Sequence, residues 1–189
     1  MRHKTTFKMM LSALFIAIGL ILPFITMQVP AIGNMLLPMH IPILMTGFLC
    51  GWPYGLIVGA VVPLLRGALF GMPVLLPNGV TMAVELAVYG VVTGWIYPRL
   101  KSRMKSQIAA VYLSLIVAMI AGRIAWGLTA YVTYSILGNL FTWKIFLMGS
   151  FLNAIPGIII QLILIPILIT RLQKMEEIRQ LYEDGTNTI

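Results

Sequence analysis

Six long apolar runs, separated by short polar or Pro/Gly-rich connections, dominate the chain and predict helices over 8–29, 38–51, 53–70, 80–97, 108–137 and 145–170. Runs of this kind suit a hydrocarbon core about 30 Å thick, which a helix rising about 1.5 Å per residue crosses in about 20 residues. The first run follows Met1-Arg2-His3-Lys4; no small-residue cleavage site comes after it and Pro30 opens a loop, so a retained helix is expected rather than a signal peptide. The second is short, with His40 and Pro42 near its start. The third contains Pro63, which predicts a kink because proline lacks the N–H and crowds the preceding turn. The fifth is the longest and is expected to overshoot the hydrocarbon or tilt within it. No internal repeat, low-complexity tract or second domain interrupts the series, so residues 1–189 read as one membrane domain with a cytoplasmic tail over 171–189.

Composition makes this pattern decisive. Hydrophobic residues are 60% of the chain and charged residues 10%. The mean hydropathy is +0.97, and soluble domains carry about 25% charged residues. The fold class is therefore all-α integral membrane. The net charge of +8 would elsewhere suggest nucleic acid, but the basic residues flank the apolar runs, where topology explains them. Arg2, Lys4 and Lys8 precede the first helix, Arg99, Lys101, Arg103 and Lys105 lie between the fourth and fifth, and Arg171, Lys174 and Arg179 follow the sixth. The opposite connections hold one basic residue, Lys144. Both termini are thus expected on the cytoplasmic side of six crossings of a cell membrane.

Three charges remain inside the apolar spans: Arg66, Glu85 and Arg123. A charge at the bilayer centre costs roughly 2.5–3.5 kcal/mol on insertion scales, so such residues face the protein interior and mark function. Counting at about 1.5 Å per residue puts Arg66, Glu85 and Arg123 roughly 20, 18 and 22 Å from the cytoplasmic ends of their helices, in one layer outside the midplane. Asn153 falls near the same layer, and His40 and Asn78 lie at its outer mouth. Trp126 follows Arg123 by three positions and Tyr89 follows Glu85 by four, so each aromatic shares a helix face with its charge. One carboxylate neutralises one arginine. Either Arg66 or Arg123 is then left to attract an anionic or strongly polar ligand. The competing reading is a closed Arg66–Glu85–Arg123 network that ties helices together and binds nothing.

Other chemistry is poorly supplied. Cys50 is the single cysteine and reads as packing, and two histidines with few acids offer no metal cluster. No glycine-rich nucleotide loop, nucleophile–base set or intramembrane carboxylate pair is present, which argues against catalysis and against a resident cofactor. Small residues mark close helix approaches: Ala13 and Ala17 in the first helix, and Gly90 with Gly94 in the fourth, the latter read as intramolecular packing.

The segment Leu37-Pro38-Met39-His40-Ile41-Pro42-Ile43-Leu44-Met45-Thr46-Gly47-Phe48, followed by Gly51-Trp52-Pro53-Tyr54-Gly55-Leu56-Ile57-Val58-Gly59, resembles the second and third helices of the substrate-binding S components of energy-coupling factor (ECF) transporters. The resemblance runs over essentially the whole chain. It implies a six-helix subunit that captures a vitamin or cofactor precursor outside the cell and releases it inward. It also implies partners: a membrane coupling subunit (T component) and two cytoplasmic ATPases, which would use the ATP. Ala13 and Ala17 match the family's Ala-xxx-Ala docking element in helix one. The chain has His40-Ile41-Pro42 where an Asp-containing start of helix two is associated with riboflavin binders, which disfavours riboflavin. Pantothenate or a pyridoxine- or pyrimidine-type precursor is the ligand expectation. A structural or assembly protein and a stand-alone secondary transporter are the alternatives to this function.

Overall fold

The structure is a computed structural model that describes residues 2–26, 37–138, 142, 154–175 and 178. Its helices are α1 (Arg2–Thr26), α2 (His40–Cys50), α3 (Trp52–Phe70), α4 (Val80–Arg103), α5 (Gln107–Ile136) and α6 (Ile155–Leu172). Five are long and apolar enough to cross a membrane, counting α4 with the short turn before it; α2 is a shorter apolar helix. No strand occurs among the described residues. The chain is a multi-pass membrane protein.

Two boundaries differ from the sequence expectation for the same reason. Helix α1 already starts at Arg2, and α4 runs past Tyr97 and Pro98 to Arg103. Hydrophobicity reports where lipid ends, whereas hydrogen bonding carries the helix on into the polar interface. Arg99 shows how: its guanidinium stacks over the Trp95 ring at 4.2 Å and donates to the Trp95 carbonyl one turn back at 2.6 Å. Helix α5 lies within one residue of expectation, its first turn capped by Ser106 Oγ, which accepts from the Ala109 N–H at 3.3 Å. Helix α3 runs uninterrupted through Pro63. Residues 145–153, the expected start of the sixth helix, lie outside the described residues, as do 27–36 of the first connection.

Helix α4 is the centre of the bundle. It packs against α2, α3 and α5; α1 lies against α2 and α3, and α6 against α5 and α2. Glycine makes the α3–α4 crossing possible. A Cβ on Gly55 would stand 2.5 Å from the Gly90 carbonyl oxygen, and one on Gly94 would run into the backbone of Trp52. Small residues let membrane helices approach to backbone contact, where dispersion replaces the hydrophobic drive that lipid does not supply. The remaining core is aliphatic and aromatic, with Ile43, Leu44, Phe48, Leu86, Leu115, Ile165 and Ile169 fully or nearly fully buried. Ala13 and Ala17 both stand exposed on the outward side of α1.

Two polar ties fix the helix ends. At the end of the bundle that carries Arg99–Lys105, Tyr97 of α4 donates to Gln173 Oε1 at 3.0 Å and accepts from Gln173 Nε2 at 2.8 Å, and Gln107 of α5 also donates to Gln173. At the opposite end, Gly71 adopts φ 70° and stops α3. The chain then folds back, with the Gly79 N–H donating to the Val74 carbonyl at 2.8 Å and the Pro73 carbonyl lying over Gly67.

Candidate functional site

Three helices meet at one carboxylate oxygen. Glu85 Oε1 accepts from Arg123 Nη1 of α5 at 2.8 Å and from the hydroxyl of Tyr89, one turn along α4, at 3.1 Å. His40 Nε2, at the start of α2, stands 3.9 Å from the same oxygen. The His40 and Tyr89 rings lie 5.4 Å apart at 59°. All four side chains are withdrawn from solvent and lipid, with relative exposures of 1% for His40 and Tyr89, 2% for Glu85 and 7% for Arg123.

The local sequence explains the geometry. Glu85 and Tyr89 are four residues apart, the spacing that stacks side chains on one helix face. Side chains on a helix lean toward its N-terminus, so Arg123 reaches back along α5 toward Glu85. Tyr89 has room because the neighbour of Arg123 is Gly122, where any Cβ would collide with the Tyr89 ring. Glycine inside a helix costs about 1 kcal/mol relative to alanine, and here the buried ring occupies the space that alanine would fill.

The pair is electrically closed but its hydrogen bonding is not. One guanidinium faces one carboxylate, the arrangement that allows charge at depth in a low-dielectric interior. Among the described residues, Arg123 Nε and both ring nitrogens of His40 have no hydrogen-bond partner. An unmade hydrogen bond on a buried polar group costs about 1–3 kcal/mol, so such atoms occur where something else supplies the partner. The arrangement is suited to holding a small polar molecule. Among the described residues no group of three His, Cys, Asp or Glu side chains is placed to hold a metal ion.

Arg66 takes a different role from the one expected of it. It is 2% exposed, at the far end of α3, and it faces α1. Its Nη1 donates to the Leu20 carbonyl at 2.8 Å, and its guanidinium lies 4.7 Å from the Phe24 ring centroid and 5.7 Å from that of Phe70. The two rings meet edge to face at 4.9 Å. Among the described residues, Glu85 is bonded to Arg123 and Tyr89, with His40 as a neighbour at 3.9 Å. Among the described residues a closed Arg66–Glu85–Arg123 network is therefore not formed, and Arg66 ties the end of α1 to α3.

The other expected site residues divide. His40, expected at the mouth, is inside the site. Asn78 is exposed on the turn before α4, where its carbonyl accepts from the Thr81 hydroxyl at 2.9 Å. Trp126 is half-buried one turn beyond Arg123 on α5. Asn153 lies outside the described residues. Sequence reasoning missed Gly122, whose signal was a helix-interior glycine beside an intramembrane charge.

A bundle of apolar helices with a buried Glu85–Arg123 pair inside it defines a polytopic membrane protein. Its family is explicit: the model of the ECF transporter substrate-specific component matches residues 7–169, and the chain belongs to that family. It is a transporter's substrate-binding subunit and not itself an enzyme. No curated protein and no solved structure matches it.

Proposed function

We propose that this subunit captures a vitamin or cofactor precursor from outside the cell at the Glu85–Arg123–Tyr89–His40 layer and releases it inward when docked on a coupling module. The observation that carries the reading is the set of buried, unpartnered polar atoms around a charge-balanced pair, inside a chain of this family. In the plasma membrane, the basic end of the bundle with both termini would face the cytoplasm by the positive-inside rule. The site would then open toward the exterior, with the turn over residues 71–79 as its cover. Asn78 and Trp126 would line its outer part.

The protein supplies binding, and ATP hydrolysis comes from two cytoplasmic ATPases acting through the membrane coupling subunit. Ala13 and Ala17, small and outward-facing on α1, are the surface proposed for that subunit. Mass spectrometry of the detergent-solubilised chain purified from a cell membrane tests the reading. One small molecule should co-purify in stoichiometric amount and raise the unfolding temperature when added back. Material with no such molecule, and no stabilisation by any added vitamin, would leave a structural role for the ion pair.

A further inference from the structure

The polar layer extends to a helix that the site described so far does not include. Gln161 of α6 is 1% exposed and, among the described residues, its Nε2 has no hydrogen-bond partner. Its height follows from a fixed reference, since Tyr97 of α4 and Gln173 after α6 are hydrogen-bonded to each other at 3.0 Å. Both helices run in the same direction through the bundle. Glu85 stands twelve residues before Tyr97 and Gln161 twelve before Gln173, about 18 Å of helix in each case. Glu85 and Gln161 are therefore at one level. Helix α6 packs against α2, which carries His40, and against α5, which carries Arg123.

The charge and hydrogen-bond balance of this level specifies what it accepts. Its carboxylate and guanidinium cancel at 2.8 Å, and Arg66 donates to the Leu20 carbonyl of α1. The outer connections add one ionisable group, Lys144, which lies outside the described residues. The unpartnered atoms are the amide of Gln161 and the Nε–H of Arg123, both donors, and a His40 ring that in its neutral form offers one donor and one acceptor. A free carboxylate or phosphate entering here would meet an arginine already neutralised and would stand against Glu85. An uncharged molecule with several acceptors, and one hydroxyl to donate to the acceptor nitrogen of His40, would instead complete these open bonds without adding charge to a low-dielectric interior.

We propose that this layer selects an electroneutral, acceptor-rich small molecule, a hydroxylated or carbonyl-bearing heterocycle, and that Gln161 is one of the donors that reads it. The proposal rests on the substrate-binding reading above and narrows its ligand class: of the compounds expected from sequence, it favours the pyridoxine type over pantothenate.

The test is equilibrium dialysis of the full-length chain at pH 7 against an equimolar mixture of pyridoxine and nicotinamide (uncharged), pantothenate, biotin and nicotinate (anions) and thiamine (a cation), with retained compounds read by mass spectrometry. Retention of an uncharged member supports the proposal, and retention of an anion or the cation instead overturns it. Retention of none overturns the substrate-binding reading together with it. Gln161→Leu and Gln161→Met then address the residue. Each should weaken the retained compound about tenfold, the value of one or two hydrogen bonds, while the ligand-free protein unfolds at the same or a higher temperature because a buried unpartnered amide has been removed. Unchanged affinity in both variants overturns the role of Gln161 and leaves the substrate-binding reading intact.

Discussion

Arg123→Met strips the site of its single cation and leaves the Glu85 carboxylate, 2% exposed, with only the Tyr89 hydroxyl and a histidine nitrogen at 3.9 Å. At an effective dielectric of about 20, the Glu85–Arg123 contact at 2.8 Å represents about 6 kcal/mol of gross attraction. Desolvation offsets part of it. Removing one partner of a buried pair nevertheless costs about 3–5 kcal/mol, because the other charge is left buried and unpaired. Arg123→Met alone should therefore be strongly destabilised. Glu85→Gln/Arg123→Met, which removes both charges, should recover most of the loss. The assay is a double-mutant cycle on unfolding of the solubilised protein, with Glu85→Gln as the second single variant. A coupling energy of about 2 kcal/mol or more is expected. Additive losses, within about 0.5 kcal/mol, would refute the ion pair as the organising contact of the site. The cycle also guards against a simpler error: loss of ligand binding in Arg123→Met alone would confuse unfolding with loss of a ligand contact.

Three further outcomes follow from separate contacts. Gly122→Ala should displace the Tyr89 ring, weakening ligand binding about tenfold or more while Gly138→Ala, at a positive-φ turn outside the site, leaves it unchanged; equal affinities by calorimetry would contradict the ring placement. Arg66→Met should lower stability by about 2 kcal/mol, from a charged hydrogen bond and ring stacking, with ligand affinity unaltered; a binding defect as large as that of Glu85→Gln would return Arg66 to the site. Replacing Ala13 and Ala17 by Trp should block capture of the coupling subunit in a pull-down and leave ligand affinity as it was.

Much of the fold was legible because hydrocarbon imposes it. The lengths and placing of α3 and α5 follow from apolar runs alone, and the close approach at Gly90 and Gly94 was marked by the residues themselves. The site was legible in height but not in direction. A rise of about 1.5 Å per residue places Arg66, Glu85 and Arg123 in one layer, yet it says nothing about azimuth, and Arg66 faces α1. Glu85 and Tyr89 were found together because four-residue spacing fixes relative direction on a single helix. His40 looked peripheral because it opens a short helix, and it is central because α2 packs directly on α4. Gln161 was an isolated amide in an apolar run, and only its lack of a partner, a three-dimensional fact, distinguishes it from an ordinary core position. The tie between Tyr97, Gln107 and Gln173 had no sequence signal, since polar residues at a membrane interface are expected there in any case.

The most direct measurement is the affinity of the co-purified compound for the wild-type chain and for Glu85→Gln/Arg123→Met, which keeps the packing and removes both charges. The wild type should bind it saturably at one site per chain, and the double variant, unfolding at a similar temperature, should bind at least a hundredfold more weakly, about 2.7 kcal/mol. Equal affinity in the two proteins would contradict the assignment of this layer as the substrate site.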